Sequence, residues 1–425
     1  MGMTIVEKIL AKASDRDSVC VGDVVEPKVD LAMSHENAAL IINRFKTIYE
    51  GTGLEANVWD TSKIAIIFDH RVPAVDRKTA TDQGTIRKFV GDQGIEKFHD
   101  IRGDTGGICH QILAEYGYVH PGRVVVGTDS HTTTHGAFGA FAYGIGATEM
   151  ACVWTLGKAL NVKVPKTIKV VITGKFHSLV SPKDLILHII RKLTVKGANF
   201  SVLEFHGEVI RNMNMSGRLT ICNMAVEAGA TAGIVMTDNV TIEHLREAGY
   251  EGDIDIVHPD EDAAYSKILE VDVSELSPQI ACPHMVDNVE DIEDVKGIAV
   301  NQVVIGSCTN GRLEDIAIAA KILQFEKVSK NVRLLIFPAS AKVYKEASMH
   351  GYINDLIDAG AVIMNPGCGC CLGVHQGALG DGEVALSTTN RNFKGRMGNS
   401  DAKVYLCSPA VAAFSAISGK ISWEK

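Results

Sequence analysis

Short β-branched runs alternate with amphipathic stretches along most of this chain. Lys63-Ile-Ala-Ile-Ile-Phe68 and Arg123-Val-Val-Val-Gly127 are brief, apolar and bounded by polar turns, which predicts buried parallel strands. Ile168-Lys-Val-Val-Ile-Thr-Gly174 predicts another strand, and Ser181-Pro-Lys-Asp184 then opens an apolar-periodic helix with Ser181 as N-cap and Pro182 in the first turn. Leu219 to Ala228 predicts a helix stopped by Gly229, with Asn223 and Glu227 four apart on one face. Farther on, Val300–Ile305 predicts a strand, Leu313–Leu323 a helix and Val332–Phe337 a strand. Two helical stretches, a strand ending at Met364 and a strand over Glu383–Ser387 complete the alternation. Repeated strand–helix–strand units of this kind predict an α/β protein. Met1 to Leu10 predicts an amphipathic opening helix, and the acidic stretch between Asp253 and Asp262 a solvated loop or helix edge.

Three segments are expected: residues 1–165, 166–296 and 297–425. Open α/β sheets place active sites at the carboxyl ends of their strands. That rule gives weight to Asp69-His70-Arg71 and Asp129-Ser130-His131, each following a predicted strand, and to two cysteine turns. The first turn is Ile305-Gly-Ser-Cys-Thr-Asn310; the second is Asn365-Pro-Gly-Cys-Gly-Cys-Cys-Leu-Gly373.

Composition narrows the function. At 425 residues with 46% hydrophobic and 22% charged residues, the chain has room for several domains. A net charge of −9 argues against nucleic acid or an anionic membrane as main partner. No apolar stretch reaches the roughly 18–20 residues that a span needs. The opening residues do not read as a cleavable leader, and the ten cysteines lack the density of a secreted framework. A cytoplasmic protein with reduced thiols is expected.

Cys368 and Cys371 form a Cys-x-x-Cys pair, a spacing shared by zinc sites, redox dithiols and iron–sulfur centres. With Cys308 they make three candidate thiolates, one fewer than structural zinc or a fully ligated cubane uses. A metal held by these three would keep an open position. Cys370, between the paired thiols, reads as a packing residue. His131 and His135 have i,i+4 spacing and, with Asp129, are a candidate mononuclear metal set; the bland alternative is polar capping of the Gly-rich segment that follows. Asp69-His70 reads as a carboxylate orienting an imidazole, and His110 alone as a core histidine. Arg391 and Arg396, in Asn390-Arg-Asn-Phe-Lys-Gly-Arg396, are spaced for a carboxylate or phosphate clamp or for a solvated basic turn. Neither a nucleophile elbow nor a phosphate-loop Gly-Lys-Ser/Thr occurs.

In this order and spacing the motifs resemble the aconitase superfamily of iron–sulfur hydro-lyases across essentially the whole chain, from Asp69-His70 through Gly107-Ile-Cys-His-Gln111 and Thr128-Asp-Ser-His-Thr132 to the arginine segment. Within it the chain is similar to the large subunits of two-chain enzymes, of the 3-isopropylmalate dehydratase and homoaconitase type. The resemblance implies a three-domain fold of mostly parallel sheets, with the swivelling fourth domain, which carries the serine base, supplied by a small subunit in a heterodimer or heterotetramer. It implies a 4Fe-4S cluster on Cys308, Cys368 and Cys371 with one iron free of protein ligands. Asp69, His70, His110, Asp129, His131 and Glu227 match the family's acid–base shell. Asn223, Asn310 and Asn390 match residues near the cluster, Ser130 belongs to the substrate-binding set, and Arg391 and Arg396 match a substrate-carboxylate clamp. The implied reaction is dehydration and rehydration of a malate-type hydroxy acid. The favoured one is 2-/3-isopropylmalate isomerisation in leucine biosynthesis; homoaconitate, 2,3-dimethylmalate and citramalate chemistry are alternatives. Readings of another class are a cluster-free nucleic-acid-binding regulator and a zinc-bound interaction module.

Overall fold

The computed structural model describes residues 2–424. Its first sheet is wholly parallel, in the order Lys97–His99, Ile64–Ile67, Leu31–Ser34, Val124–Gly127, Phe141–Gly144. The expected apolar runs at 63–68 and 123–127 supply two of these strands, and every residue of Ile64–Ile67 and Val124–Gly127 is buried. A second parallel sheet has the order Ala232–Val235, Ser201–His206, Lys166–Thr173, Lys267–Asp272. The third sheet has seven strands. Five are parallel: Lys403–Leu406, Val384–Ser387, Gln302–Gly306, Arg333–Phe337 and Val362–Ile363. Gln279–Ala281 and Val289–Asp291 extend its edge antiparallel, so residues just before 297 pair with this sheet. The architecture is α/β, with mostly parallel sheets flanked by helices, the class that the alternating strand and helix pattern predicts.

Local sequence explains the main helices. Thr4 caps Ile5–Ala13 through a reciprocal box with Glu7, so the opening helix begins later than its apolar pattern. Pro182–Leu193 starts at the expected cap, where the Ser181 N–H donates to Asp184 Oδ2 at 2.8 Å. Leu313–Leu323 has the expected span. The acidic stretch is a loop whose Asp260 pairs with Lys8 at 2.5 Å, pinning it to the opening helix. The helix expected over 219–228 is in fact Met215–Met224 followed by a 3-10 turn, Ala225–Ala228, which ends at Gly229 in the left-handed region (φ 85°).

Ser130–Phe138 is also a 3-10 helix rather than an α-helix. Thr132 and Thr134 hydroxyls donate to the carbonyls of Asp129 and His131 at 2.6 Å, the i−3 bonding that competes with α geometry. Tight packing requires Gly136 there: a Cβ on it would fall 1.6 Å from the Gly233 carbonyl oxygen. One continuous apolar core joins the three larger sheets, from Met33 and Val125 through Val170 and Phe205 to Phe337 and Val404. Among the described residues no helix is long and apolar enough to cross a membrane.

Candidate active site

Strand ends from the first and third sheets converge on one cavity of about 180 Å³, lined by His70, His110, Asp129 and His131 from the connections that follow the first sheet's strands. Cys308, Cys368, Cys371, Asn390, Arg391 and Arg396 line the same cavity, with Cys368 Sγ 4.0 Å from Asp69 Oδ2. The two cysteine turns, about 60 residues apart in sequence, therefore face one space, with none of the thiols in a disulfide.

Asp69 and His70 follow Ile64–Ile67. His70 Nδ1 lies 2.6 Å from Asp69 Oδ1, while the Cys109 N–H donates to Asp69 Oδ2 at 2.8 Å. Burial alone would raise the Asp69 carboxyl, but the His70 charge and hydrogen bond hold it down to about 2. Burial likewise opposes charging His70, and the Asp69 charge overcomes it, so the His70 pKa lies well above the ordinary imidazole value. The ring's other nitrogen, Nε2, is 3.6 Å from Asp129 Oδ2.

Asp129 is the hub of the histidines. Its Oδ1 lies 2.8 Å from His110 Nε2 and accepts the His131 N–H at 2.8 Å. Desolvation pushes this carboxyl up, but bonds from His110, His131 and His70 carry it well below the usual range. His131 Nε2 lies 2.8 Å from Glu227 Oε1, and the Arg391 Nε–H donates to that same oxygen at 2.7 Å. Glu227 thus links the second sheet's helix to His131 and Arg391.

The sulfurs meet polar partners from several directions. Asn223 and Asn390 each donate an amide N–H to Cys308 Sγ at 3.3 Å. Arg396 Nη2 lies 3.6 Å from Cys371 Sγ, and although burial works against a thiolate, the guanidinium draws that pKa below the ordinary thiol value. Burial pushes the Cys308 and Cys368 thiols up. Three unlinked thiols around one cavity, two of them already contacted by hydrogen-bond donors, fit an inorganic iron–sulfur group held from two loops. Arg396 Nε is buried without a partner among the described residues, a free donor beside Cys371.

Not every candidate reaches the cavity. Ser130 opens the 3-10 helix beside Asp129 and lies off the wall. Asn310 donates to Asp315 Oδ1 at 2.9 Å, behind the cysteine turn. The metal set of Asp129, His131 and His135 does not assemble: in a 3-10 helix residues i and i+4 point about 120° apart. His135 instead sits fully buried, its Nε2 3.4 Å from His110 Nδ1. Cys370 packs in the core beside Leu335, away from its neighbours' cavity.

Sequence reasoning passed over His35 and Glu36. His35 lines the cavity and stacks on His70 at 4.1 Å between ring centroids. Glu36 accepts the backbone N–H groups of His70 at 3.1 Å and Arg71 at 2.8 Å. Their signal was the strand-end rule itself, since both follow Leu31–Ser34 directly. Behind the third sheet, the buried Lys183 ammonium donates to the carbonyls of Thr388 at 2.7 Å and Thr389 at 2.6 Å, next to Asn390.

The sequence pattern of the Aconitase family (aconitate hydratase) matches residues 57–297 and 285–419. The chain is 48% identical over 423 residues to the probable 3-isopropylmalate dehydratase large subunit of Methanothermobacter thermautotrophicus, covering 99% of each chain. It is 47% identical over 429 residues to the methanogen homoaconitase large subunit of Methanocaldococcus jannaschii, again covering 99% of each. Heliobacterium modesticaldum has a 3-isopropylmalate dehydratase large subunit 45% identical over 99% of this chain and 98% of its own. A solved structure of aconitase X from Thermococcus kodakaraensis superposes with a TM-score of 0.49 at 14% identity, over 93% of both chains.

Proposed function

The chain belongs to the aconitase family, and from that premise we propose that it is the large subunit of an iron–sulfur hydro-lyase, most simply 3-isopropylmalate dehydratase. The single observation that carries this reading is the shared cavity, lined both by three thiols and by a carboxylate-bound histidine network.

Family membership brings an iron–sulfur cluster; we assign it as a 4Fe-4S cluster on Cys308, Cys368 and Cys371 with one iron left without a protein ligand. Such an iron supplies Lewis acidity toward the hydroxyl and a carboxylate of a bound hydroxy acid. The chain's own residues supply the rest. Arg391 and Arg396 orient the substrate's other carboxylate, with Glu227 fixing the Arg391 side chain. His70, kept protonated by Asp69, holds the proton that the departing hydroxyl takes. Asp129 keeps His110 and His131 in place beside it. The group that takes the carbon-bound proton is assigned to the partner: relatives named as large subunits imply a small subunit. That subunit would carry the swivelling domain in a heterodimer or heterotetramer, with the complex residing in the cytoplasm.

A relative named homoaconitase at nearly the same identity supports a second substrate reading, homoaconitate-type acids. The test is one experiment. Anaerobically purified protein is analysed for iron and sulfide, then mixed with its small subunit and assayed for dehydration of 3-isopropylmalate, homocitrate, citramalate and 2,3-dimethylmalate. Roughly four iron and four sulfide per chain, with turnover of isopropylmalate that appears only on mixing, is expected. Zinc in place of iron, or full activity of the isolated chain, overturns the proposal.

A further inference from the structure

Arg312 is a buried cation that the proposed mechanism does not use. It follows the one-turn helix Ser307–Asn310, which presents Cys308 to the cavity. Ser307 enters that turn in the left-handed region (φ 71°), a conformation that costs a side-chain-bearing residue free energy unless its surroundings enforce it. A single helical turn also leaves its last carbonyls without intrahelical donors. Arg312 supplies those donors. Its Nη2 donates to the Cys308 carbonyl at 2.8 Å and its Nη1 to the Thr309 carbonyl at 2.7 Å. Thr220, from the second sheet's helix, donates to the same Thr309 oxygen at 2.9 Å. The fork is itself held, because the Arg312 backbone N–H donates to Asp315 Oδ2 at 3.0 Å. The guanidinium's hydrogen bonds go to the Cys308, Thr309 and Ser216 carbonyls and the Thr220 hydroxyl, while the buried Asp315 carboxylate acts on its charge electrostatically.

We infer that Arg312 is a positioning residue for the iron–sulfur cluster, fixing the Cys308 turn by a two-carbonyl fork and placing a buried positive charge behind that ligand. This rests on the assignment of Cys308 as a cluster ligand. Two effects follow. The fork keeps the Cys308 sulfur aimed at the cavity, which slows loss of the cluster. Its charge favours the more anionic, reduced form of the cluster, since net charge and nearby donors set such potentials.

The experiment uses the cluster-loaded complex with its small subunit, in wild-type form and as Arg312→Gln and Arg312→Lys, with far-UV circular dichroism checking the fold. Iron release in air is followed by a chromogenic chelator, and the cluster's midpoint potential by redox titration monitored by electron paramagnetic resonance. Arg312→Gln should release iron about tenfold faster, the scale of one lost charge-assisted hydrogen bond, and titrate at a more negative potential. Arg312→Lys keeps the charge but not the fork, so it should release iron faster while holding the wild-type potential. If Arg312→Gln does not fold, Arg312→Lys decides, and wild-type release from it overturns the inference. Iron-loaded wild type with variants indistinguishable from it in both readouts overturns this inference alone. Wild-type protein lacking iron and sulfide overturns the proposed function and this inference with it.

Discussion

Glu227 and Arg391, 164 residues apart, meet at 2.7 Å through a carboxylate oxygen that also lies 2.8 Å from His131 Nε2. That oxygen is the point where the helix behind the second sheet joins His131 to Arg391. Burial raises the Glu227 pKa, but His131 and Arg391 together hold it below the usual value, so Glu227 is a carboxylate at neutral pH. Glu227→Gln should therefore lower kcat/KM by about 10²-fold or more, because it frees the clamp and removes the carboxylate from His131. Glu227→Asp should fall between the two. Steady-state kinetics of the reconstituted pair checks this, and a variant with wild-type kcat/KM removes Glu227 from the site.

Much of this site was legible in the chain because strand ends advertise themselves. Asp69-His70, Asp129 and His131, and the turns of Cys308 and Cys368, each follow a run whose residues are almost all apolar. Glu227 and Asn223 were legible only through the family's motif, since a carboxylate on a helix face says nothing about which histidine it will meet. What escaped was conformation that depends on packing. Threonines bonding back to i−3 carbonyls and the Gly136–Gly233 contact force a 3-10 path, which separates His131 from His135. His35 and Glu36 escaped because Leu31–Ser34 carries no β-branched residue to mark it as a strand.

The cysteines divide by what they face. Cys308→Ser, Cys368→Ser and Cys371→Ser should each abolish the broad visible absorbance of anaerobically purified protein and most of its iron. Cys370→Ala should keep both and lose stability instead, because Cys370 is fully buried in the apolar core. Absorbance spectra with iron analysis check the series; an unchanged spectrum in Cys371→Ser removes that ligand.

Asp184 gives a pH signature of stability away from the cavity. It is fully buried, and desolvation lifts its carboxyl from 3.8 to about 6 despite bonds from Ser181 and Gln279. A raised carboxyl binds more protons folded than unfolded between those two values, so stability should fall as pH rises from about 4 to about 6 and level off above. The loss is on the order of 3 kcal/mol by the size of that shift. Denaturant unfolding of wild type and Asp184→Asn at pH 4, 5, 6 and 7 checks it: the variant should lack this component of the slope. Parallel pH profiles for the two proteins would refute the assignment.

Gly136→Ala should be among the most damaging single changes. The added methyl would sit 1.6 Å from the Gly233 carbonyl oxygen and 2.7 Å from its carbon, both of them backbone atoms in a buried strand. Neither can move without shifting the helix that carries His131. A cost of about 3 kcal/mol, the upper end of the usual range for overpacking, is expected, read as a lower denaturant midpoint. Gly84→Ala, where a Cβ meets nothing within 4 Å, is the control that should be neutral or slightly stabilising.

The three proposed sulfur donors and the two proposed clamp arginines hang from the third sheet, while the histidines belong to the connections of the first. Damage to the two halves should leave different wreckage. An enzyme crippled in its imidazole relay would still be brown and still grip a dicarboxylate; one stripped of iron by oxygen would be colourless, yet its proton wiring would stand ready for metal and sulfide to return.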